Sequence, residues 1–495
     1  MYPHQRSMYY EIKNFLEKDC PDCRIGTLAG VRRIGKTGVL TDLSESVPGA
    51  VYVDFRNKSK DTLETYFGFL RMNKPGVLLL DEITEYTGFY DLIKELEYTV
   101  YNKNYSLKVI ISGSSCLHTL AVQYGPLGAG RSKLFMMGFL SFSEYLRFTG
   151  RCDTLLFRNV TDITEQDFKD YLQLKGLEGS GLNLVFNRDY MEGIFSDMNT
   201  ASRTNFYGDS VVDINEDDLY CVLDMVAYSL TNWVNAEKFR RPDGSKEFKS
   251  LNIPDSGYGM RLTLSVEQIA KMESKNILKA LFYLLEAKLA YVETCFGDEP
   301  AEPAGGLVRG LLNWNSKEEL IKFFDNYNVC LVSPLWYTRL AEEILDEYEI
   351  SFSDLLETSI YGGILENYIQ GSYCRFTWGV NYHIYKIGSP PKKATNEERA
   401  NSKEVDLFDN RKSLLCEITV SNKARGDFYI MEHFPDTPFI RVLSTKDIES
   451  FKWGSHKIPY PKLAAMIDTG EIFKLEKTVK GHTSGNSSVI IGGRK

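Results

Sequence analysis

The sequence predicts an α/β fold: a parallel-sheet core, then a mainly helical region, then a second, C-terminal α/β domain. Short apolar runs at 24–29, 51–55, 76–81 and 108–112 alternate with helical segments. Strands that alternate with helices in this way form parallel sheets. The run that ends at Asp81 is continuously apolar, as expected of a strand that is buried on both faces.

The pattern along the chain divides it into four parts. The core is assigned to residues 1–158, and its lead-in helix carries Met8, Ile12, Phe15 and Leu16 at helical spacing. Helical periodicity dominates residues 159–348, where 265–292 fits either a winged-helix unit or a simple helical pair followed by a strand. Residues 349–480 carry a helix at 355–373 and strands at 382–385, 404–408 and 413–420. The Gly/Ser-rich segment 481–495 is predicted to be a disordered tail.

Composition excludes several classes of protein. The 495 residues are 43% hydrophobic and 25% charged, as in ordinary globular proteins. No apolar run reaches the length of a membrane span, and no apolar leader opens the sequence, so we expect neither a membrane protein nor a secreted one. Nine scattered cysteines favour reduced thiols in the cytoplasm, and the lone pair Cys20 and Cys23 is predicted to be a loop rather than a zinc site. A net charge of −9 argues against a broad nucleic-acid surface but leaves a local basic groove open.

The segment GVRRIGKT, residues 30–37, fits the phosphate-binding P-loop pattern at every fixed position. Gly30 and Gly35 allow the backbone to curl, so that consecutive N–H groups, including that of Arg33, face a phosphate. Lys36 can reach the β- and γ-phosphates, and the Thr37 hydroxyl can bind Mg²⁺. Because a strand precedes the motif and a helix follows it, we predict an ATP site here.

Two acidic residues end the apolar strand at 76–81. Asp81 is predicted to lie beside Mg²⁺, and Glu82 is predicted to orient and deprotonate the water that attacks the γ-phosphate. A strand that ends in acids is a weak signal alone, but it is specific when a P-loop precedes it. The alternative for Glu82 is a solvated residue at the start of a helix.

Several segments together resemble one family. GVRRIGKT, GVLLLDEI, VIISGSS, AGR and FLSFSEYL look like the prokaryotic AAA-type (AAA+ superfamily) P-loop ATPases that carry a C-terminal PD-(D/E)XK nuclease-like domain. The resemblance implies that Ser112 is a sensor of the γ-phosphate and that Arg131 is an arginine finger. A finger that acts on a neighbouring site requires a homo-oligomer. The helix at 140–146 is given a structural role, and residues 190–195 look like a degraded Gly-Gly-aromatic turn of the family.

The same resemblance implies a nuclease-like site in the C-terminal domain. Glu366, Asp406 and Glu417 fall where the metal-binding acids belong, but Thr419 occupies the position of the lysine that helps to activate water. Lys423 could substitute only if the strand bends. Three outcomes stay open: an active nuclease, vestigial acids, or a domain that binds nucleic acid or a partner without cleavage.

The sequence thus supports three hypotheses of function. The first is a Mg²⁺-dependent ATPase whose nucleotide state acts on a nuclease-like domain without its catalytic lysine. The second is an ATP-regulated DNA nuclease or a nucleic-acid-binding defence protein. The third is a binding module in which the nucleotide is structural. The predicted ligands are ATP and Mg²⁺, with DNA or a protein as partners of the C-terminal domain and no membrane.

Overall fold

The fold is seen in a computed structural model. It describes residues 5–18, 20, 22–56, 76–86, 88–102, 106–114, 132–178, 193–194, 261–262, 284–285, 287–294, 327–335, 351–357, 360–377, 383–387, 405–409, 414–418, 440–445 and 456–475. The predictions for Arg131, for most of 190–195 and 265–292, and for the tail at 481–495 lie outside these residues.

The first sheet has five strands, all parallel, in the order β2-β3-β4-β1-β5. Its strands are β1 (Ile25–Ala29), β2 (Ala50–Asp54), β3 (Val77–Asp81), β4 (Lys108–Ser112) and β5 (Ser132–Met136). Its helices are α1 (Ser7–Glu17), α2 (Lys36–Ser46) and α3 (Phe89–Asn102), and a 3₁₀ turn, Ile83–Glu85, follows β3. The predicted parallel α/β core is therefore present, and four of its strands were predicted.

Helices cover both faces of this sheet. On one face, Leu28, Leu79 and Ile110 belong to the cluster that includes the apolar side of α1 and α2. On the other face, Leu78 and Ile111 belong to a second cluster, which α3 completes. This alternation explains the continuous apolar run in β3, since neighbouring residues of a strand point to opposite faces.

Helix α4 (Phe142–Phe148) follows the last strand of the first sheet, and α5 (Glu165–Leu172) comes next. Both begin with a capping box: Ser141 pairs with Glu144, and Thr164 pairs with Asp167. In each box the hydroxyl of the cap residue accepts a hydrogen bond from the backbone amide three residues later. The carboxylate of that later residue accepts a hydrogen bond from the amide of the cap residue. Every residue of α4 is buried.

A second, eight-stranded mixed sheet has the order β13-β12-β11-β10-β9-β7-β8-β6. Its strands are β6 (Arg261–Leu262), β7 (Ala290–Thr294), β8 (Tyr327–Leu331), β9 (His383–Ile387), β10 (Val405–Asp409), β11 (Leu414–Ile418), β12 (Ile440–Thr445) and β13 (His456–Pro459). The predicted strands near 382, 404 and 413 are confirmed. The sheet draws strands from both sides of the boundary predicted at residue 348.

The C-terminal helices are α6 (Phe352–Leu356), α7 (Ile360–Phe376) and α8 (Tyr460–Asp468), and a 3₁₀ turn, Glu471–Lys474, follows them. Helix α7 contacts β7, β8 and β9 of the second sheet, and α8 contacts β12, β13, α4 and α5. Gly371 brings α7 against β8, because a Cβ there would collide with the carbonyl group of Val332. One hydrophobic cluster runs from Tyr9 in α1 to Ile472 after α8. The first sheet and the C-terminal helices therefore share a core.

Composition led us to expect reduced cysteines and no membrane span. Their six cysteines, Cys20 and Cys23 among them, are free thiols. Within the part of the chain that the structure describes, no helix combines the length and the apolar character needed to cross a membrane.

Candidate functional site

The turn between β1 and α2 has a backbone that only certain residues can adopt. Gly30 has φ 151° and Gly35 has φ 97°. A Cβ at Gly30 would also collide with the carbonyl oxygen of Met137 and the side chain of Ile34. Arg33 is exposed at φ 60°, in the left-handed region. The predicted phosphate-binding residues thus form one tight, curled turn.

Lys36 opens α2 and is buried, although lysine is rarely buried without partners. Its Nζ donates to the carbonyl oxygens of Gly30 (2.7 Å) and Val31 (2.8 Å). The ammonium group therefore lies inside the turn. Gly35 provides no side-chain cap for α2, and the half-buried Thr37 follows Lys36 in its first turn. A helix N-terminus of this kind attracts anions.

Asp81 ends β3 and is 1% exposed. One of its carboxylate oxygens accepts from the Tyr52 hydroxyl at 3.0 Å, and the other accepts from the Glu82 amide at 3.1 Å. Tyr52 lies on β2, next to β3 in the sheet. Burial and the neighbouring Asp81 raise the pKa of Tyr52, so its hydroxyl remains a donor. The sequence pattern gave no signal for Tyr52.

Glu82 adopts a left-handed conformation at φ 54° and is half-buried. Burial raises its pKa most, the nearby Asp81 raises it further, and Lys36 opposes the shift. Lys36, Asp81 and Glu82 are therefore close enough to influence one another. A carboxylate with a raised pKa is a stronger proton acceptor than an ordinary one.

Ser112 ends β4, which lies between β1 and β3. It pairs with Leu28, two residues before the phosphate-binding turn, and its side chain is fully buried. Its hydroxyl has no hydrogen-bond partner among the described residues. The ends of β1, β3 and β4 meet at one edge of the sheet, and the sequence predictions for Lys36, Asp81, Glu82 and Ser112 all fall there.

A residue that the sequence analysis did not single out, Arg6, also contacts this turn. Its guanidinium donates to the Ile34 carbonyl (2.5 Å) and the Gly138 carbonyl (2.9 Å). It also pairs with Glu144 at 3.1 Å. A cavity of about 450 Å³ lies beside it, between α1, β5, α4 and the C-terminal helices, and both Arg6 and Arg375 line it.

The three acids predicted in the C-terminal domain lie near one another. The register of β10 and β11, in which Leu407 faces Cys416, places Asp406 opposite Glu417. Asp406 accepts from the Ile418 amide at 2.7 Å. Gln370 of α7 donates to the Glu366 carboxylate (3.1 Å) and to the Asp406 carbonyl (2.9 Å).

The three acids do not form a metal-binding cluster. Within the described ranges, no group of three His, Cys, Asp or Glu side chains is arranged to hold a metal ion. Thr419 and Lys423 lie outside those ranges.

Residues 23–146 match the family model of the AAA domain. The match begins just before β1 and ends within α4, so it contains all five strands of the first sheet and the residues at its edge. This segment therefore resembles an AAA domain, and its five-stranded parallel sheet fits the core of a P-loop ATPase. Among curated proteins, none matches the chain.

Several solved structures are similar to the chain at low identity. The Walker-type ATPase PABY2304 of Pyrococcus abyssi is 15% identical, over 68% of this chain and 95% of that one, with a TM-score of 0.32. The ORC2 protein of Aeropyrum pernix, in ADPNP-ADP complexes, is 12% identical over 65% and 97%, with a TM-score of 0.28. A DNA replication initiation factor is 14% identical over 68% and 93%, with a TM-score of 0.24.

Proposed function

We propose that the AAA domain binds Mg·ATP and hydrolyses it at the edge formed by β1, β3 and β4. The observation that carries this proposal is the arrangement of charges. A buried lysine sits inside a glycine turn, next to two carboxylates at the end of β3. A triphosphate offers this lysine acceptors that are stronger than the carbonyl groups of the turn.

The turn and the first residues of α2 bind the phosphates in this proposal. The curled backbone from Gly30 to Lys36 directs N–H groups towards the β- and γ-phosphates. The N-terminus of α2 adds its partial positive charge. Lys36 exchanges its carbonyl partners in the turn for phosphate oxygens, which are stronger acceptors.

Thr37 and Asp81 would hold the metal ion. A hydroxyl and a carboxylate are the hard oxygen ligands that Mg²⁺ prefers, so the donor set fits. When bound, Mg²⁺ neutralises charge on the phosphate oxygens. Tyr52 and the Glu82 amide hold the Asp81 carboxylate in one orientation.

Glu82 is the proposed general base, which orients a water molecule and accepts its proton. Ser112 is the proposed sensor at the end of β4, where its buried hydroxyl is near the phosphate-binding turn in the sheet. Arg131 remains the proposed arginine finger, acting in its own site or in that of a neighbouring copy. If it acts on a neighbour, the active form is a homo-oligomer.

Phosphate release from ATP tests this proposal. Glu82→Gln is expected to bind ATP with near-normal affinity but to lose at least about 100-fold in turnover, as expected when a general base is removed. Glu45→Gln, the same change at an exposed position of α2, is the control and should turn over normally. Wild-type turnover by Glu82→Gln would exclude Glu82 as the base, and no turnover by the wild-type protein would exclude the activity.

The C-terminal region is proposed to respond to the nucleotide rather than to cleave nucleic acid. Asp406 is already engaged with the backbone of β11, which favours a structural role for this acid. The alternative of an ATP-regulated nuclease rests on Asp406 and Glu417 facing each other across two strands. DNA nicking with Mg²⁺ or Mn²⁺, in the presence and absence of ATP, distinguishes the two. Nicking that Asp406→Asn abolishes would support the alternative.

A further inference from the structure

Arg6 immediately precedes α1, and its side chain contacts three separate segments of the chain. Its side chain is 6% exposed, although arginine is among the residues least often buried. The guanidinium contacts the phosphate-binding turn at Ile34, the connection after β5 at Gly138, and helix α4 at Glu144. The planar guanidinium carries five N–H donors in a fixed geometry, which suits it to bind several partners at once.

The contact with Ile34 bears on the orientation of one peptide group. A trans peptide is planar, so its C=O and N–H point in opposite directions. Because Arg6 holds the Ile34 carbonyl, the Gly35 N–H of the same peptide points away from Arg6. That N–H is one of the donors that a curled turn offers to a phosphate.

Glu144 extends this connection into α4. Its carboxylate accepts from the Ser7 amide (2.7 Å) and the Ser141 amide (2.9 Å), besides pairing with Arg6. Burial opposes ionisation, but the guanidinium groups of Arg6 and Arg147 lower the pKa of Glu144 to about 2. The acid is therefore charged at neutral pH, and it ties the N-terminus of α4 to Arg6.

The other amides at the start of α4 are bound by the C-terminal helices. The Phe142 amide donates to the Tyr368 hydroxyl of α7 at 2.6 Å. The Ser143 amide donates to the Asp468 carboxylate of α8 at 3.0 Å. The Tyr368 hydroxyl in turn donates to Asp468. The first turn of α4 thus lies between Arg6 and Glu144 on one side and the C-terminal helices on the other.

We propose that Arg6 is a positioning residue of the nucleotide site and that, through Glu144 and α4, it couples this site to helices α7 and α8. The inference rests on the proposed ATP binding. Loss of Arg6 releases the Ile34 peptide, which weakens phosphate binding. A change at the joint between α4 and α7 reaches the Ile34 peptide through Glu144 and Arg6.

Equilibrium binding of labelled ATP in Mg²⁺ to the full chain tests this inference. The wild-type protein is measured first, and failure to bind would reject the proposed function rather than the coupling. We expect Arg6→Gln to weaken binding about tenfold or more, the scale of a lost charge-assisted hydrogen bond. Arg151→Gln is the matched control, because Arg151 pairs with Asp167 of α5 at 2.7 Å and belongs neither to the turn nor to the contacts of Glu144.

A double-mutant cycle tests the coupling itself. Tyr368→Phe is expected to weaken ATP binding about threefold in the wild-type background and to have no further effect in Arg6→Gln, since coupled sites are not additive. Thermal unfolding of each variant separates these effects from loss of fold, and Arg6→Lys, which keeps the ion pair, should fall between wild type and Arg6→Gln. Folded Arg6→Gln with wild-type affinity, or additive effects in the cycle, would overturn the inference.

Discussion

At the scale of single residues, the Asp81 carboxylate is the most constrained group of the site. Tyr52 donates to one of its oxygens and the Glu82 amide donates to the other. Partners of this kind orient a metal-binding carboxylate before the metal arrives. Tyr52 comes from the neighbouring strand, so the geometry of β2 and β3 contributes directly to the proposed magnesium site.

Tyr52→Phe removes this donor and keeps the ring. We expect the Mg²⁺ concentration that gives half-maximal ATP turnover to rise about tenfold, the scale on which outer partners of a metal site act. Mn²⁺ binding followed by its paramagnetic signal should weaken in parallel. Tyr98→Phe, at an exposed position of α3, is the control. An unchanged Mg²⁺ requirement would show that Tyr52 does not orient Asp81.

Local sequence patterns revealed the residues whose partners are close in the chain. Gly30, Lys36 and Thr37 form one contiguous motif, and Asp81 ends an apolar run. Sequence analysis did not identify Arg6 and Tyr52. Their partners, Ile34 and Asp81, lie 28 and 29 positions away in the chain. No local period or motif marks such a pair, and only the folded chain brings its members together.

At the scale of elements, α4 has an unusual environment for a seven-residue helix. All of its residues are buried, and its first two amides donate to Tyr368 of α7 and Asp468 of α8. Its Glu144 carboxylate accepts from the Ser7 amide of α1. The resemblance to known ATPases gave this helix a structural role. The structure adds the reason for its burial, which is that α1 and the C-terminal helices pack against it.

The Glu144 carboxylate makes this element sensitive to acid. Its pKa falls from 4.5 to about 2 in the folded protein. The ionised carboxylate therefore stabilises the fold fully at pH values above 4.5, the pKa in the unfolded chain. This contribution is lost as the pH falls from about 4.5 towards 2. At neutral pH this contribution to the free energy of unfolding is about 3 kcal/mol. Wild type should therefore exceed Glu144→Gln in stability at pH 6, and urea unfolding should show the difference narrowing by pH 3.

Glu17→Gln, at an exposed position of α1, provides the control for this measurement. Its stability relative to wild type should change little over the same range of pH. A constant difference between wild type and Glu144→Gln from pH 6 to pH 3 would mean that the ion pair with Arg6 does not form in solution.

At the scale of the whole molecule, the ATPase domain and the C-terminal helices share a core. Phe142, Phe168, Tyr171 and Tyr368 pack with ring centroids 5.1–5.7 Å apart where α4, α5 and α7 meet. The half-buried Arg375 joins this interface by pairing with Asp468 at 2.9 Å and donating to the Phe139 carbonyl.

Asp468→Asn leaves the half-buried Arg375 charge without its buried acid. Breaking a fully buried pair costs roughly 3–5 kcal/mol, which is the upper bound for this pair. Because the interface belongs to both the AAA domain and the C-terminal helices, we expect both to unfold together at a lower midpoint temperature. We also expect ATP affinity to fall near that lower midpoint. Asp91→Asn removes an exposed acid of α3 and should leave the midpoint unchanged. Separate transitions, with only one of them shifted, would contradict a shared core.

The arrangement of the second sheet shows where prediction from sequence ends. Apolar runs predicted β10 and β11 individually, whereas β9, which pairs with β10, has as its other partner β7, from a distant segment of the chain. The pairing of β7 with β9 depends on long-range contacts that a local pattern does not encode. The predicted acids Asp406 and Glu417 do face each other across two strands, whereas the bond from Asp406 to the backbone of β11 could not be read from the sequence.

The most direct test of the account is equilibrium binding of labelled ATP in Mg²⁺ to the wild-type chain, Lys36→Ala and Lys94→Ala. The last variant removes an exposed lysine of α3 as a control. We predict that the wild-type protein and Lys94→Ala bind equally and that Lys36→Ala binds at least about tenfold more weakly. Equal affinity of Lys36→Ala and wild type, or no binding by any of the three, would contradict a nucleotide site at the turn between β1 and α2.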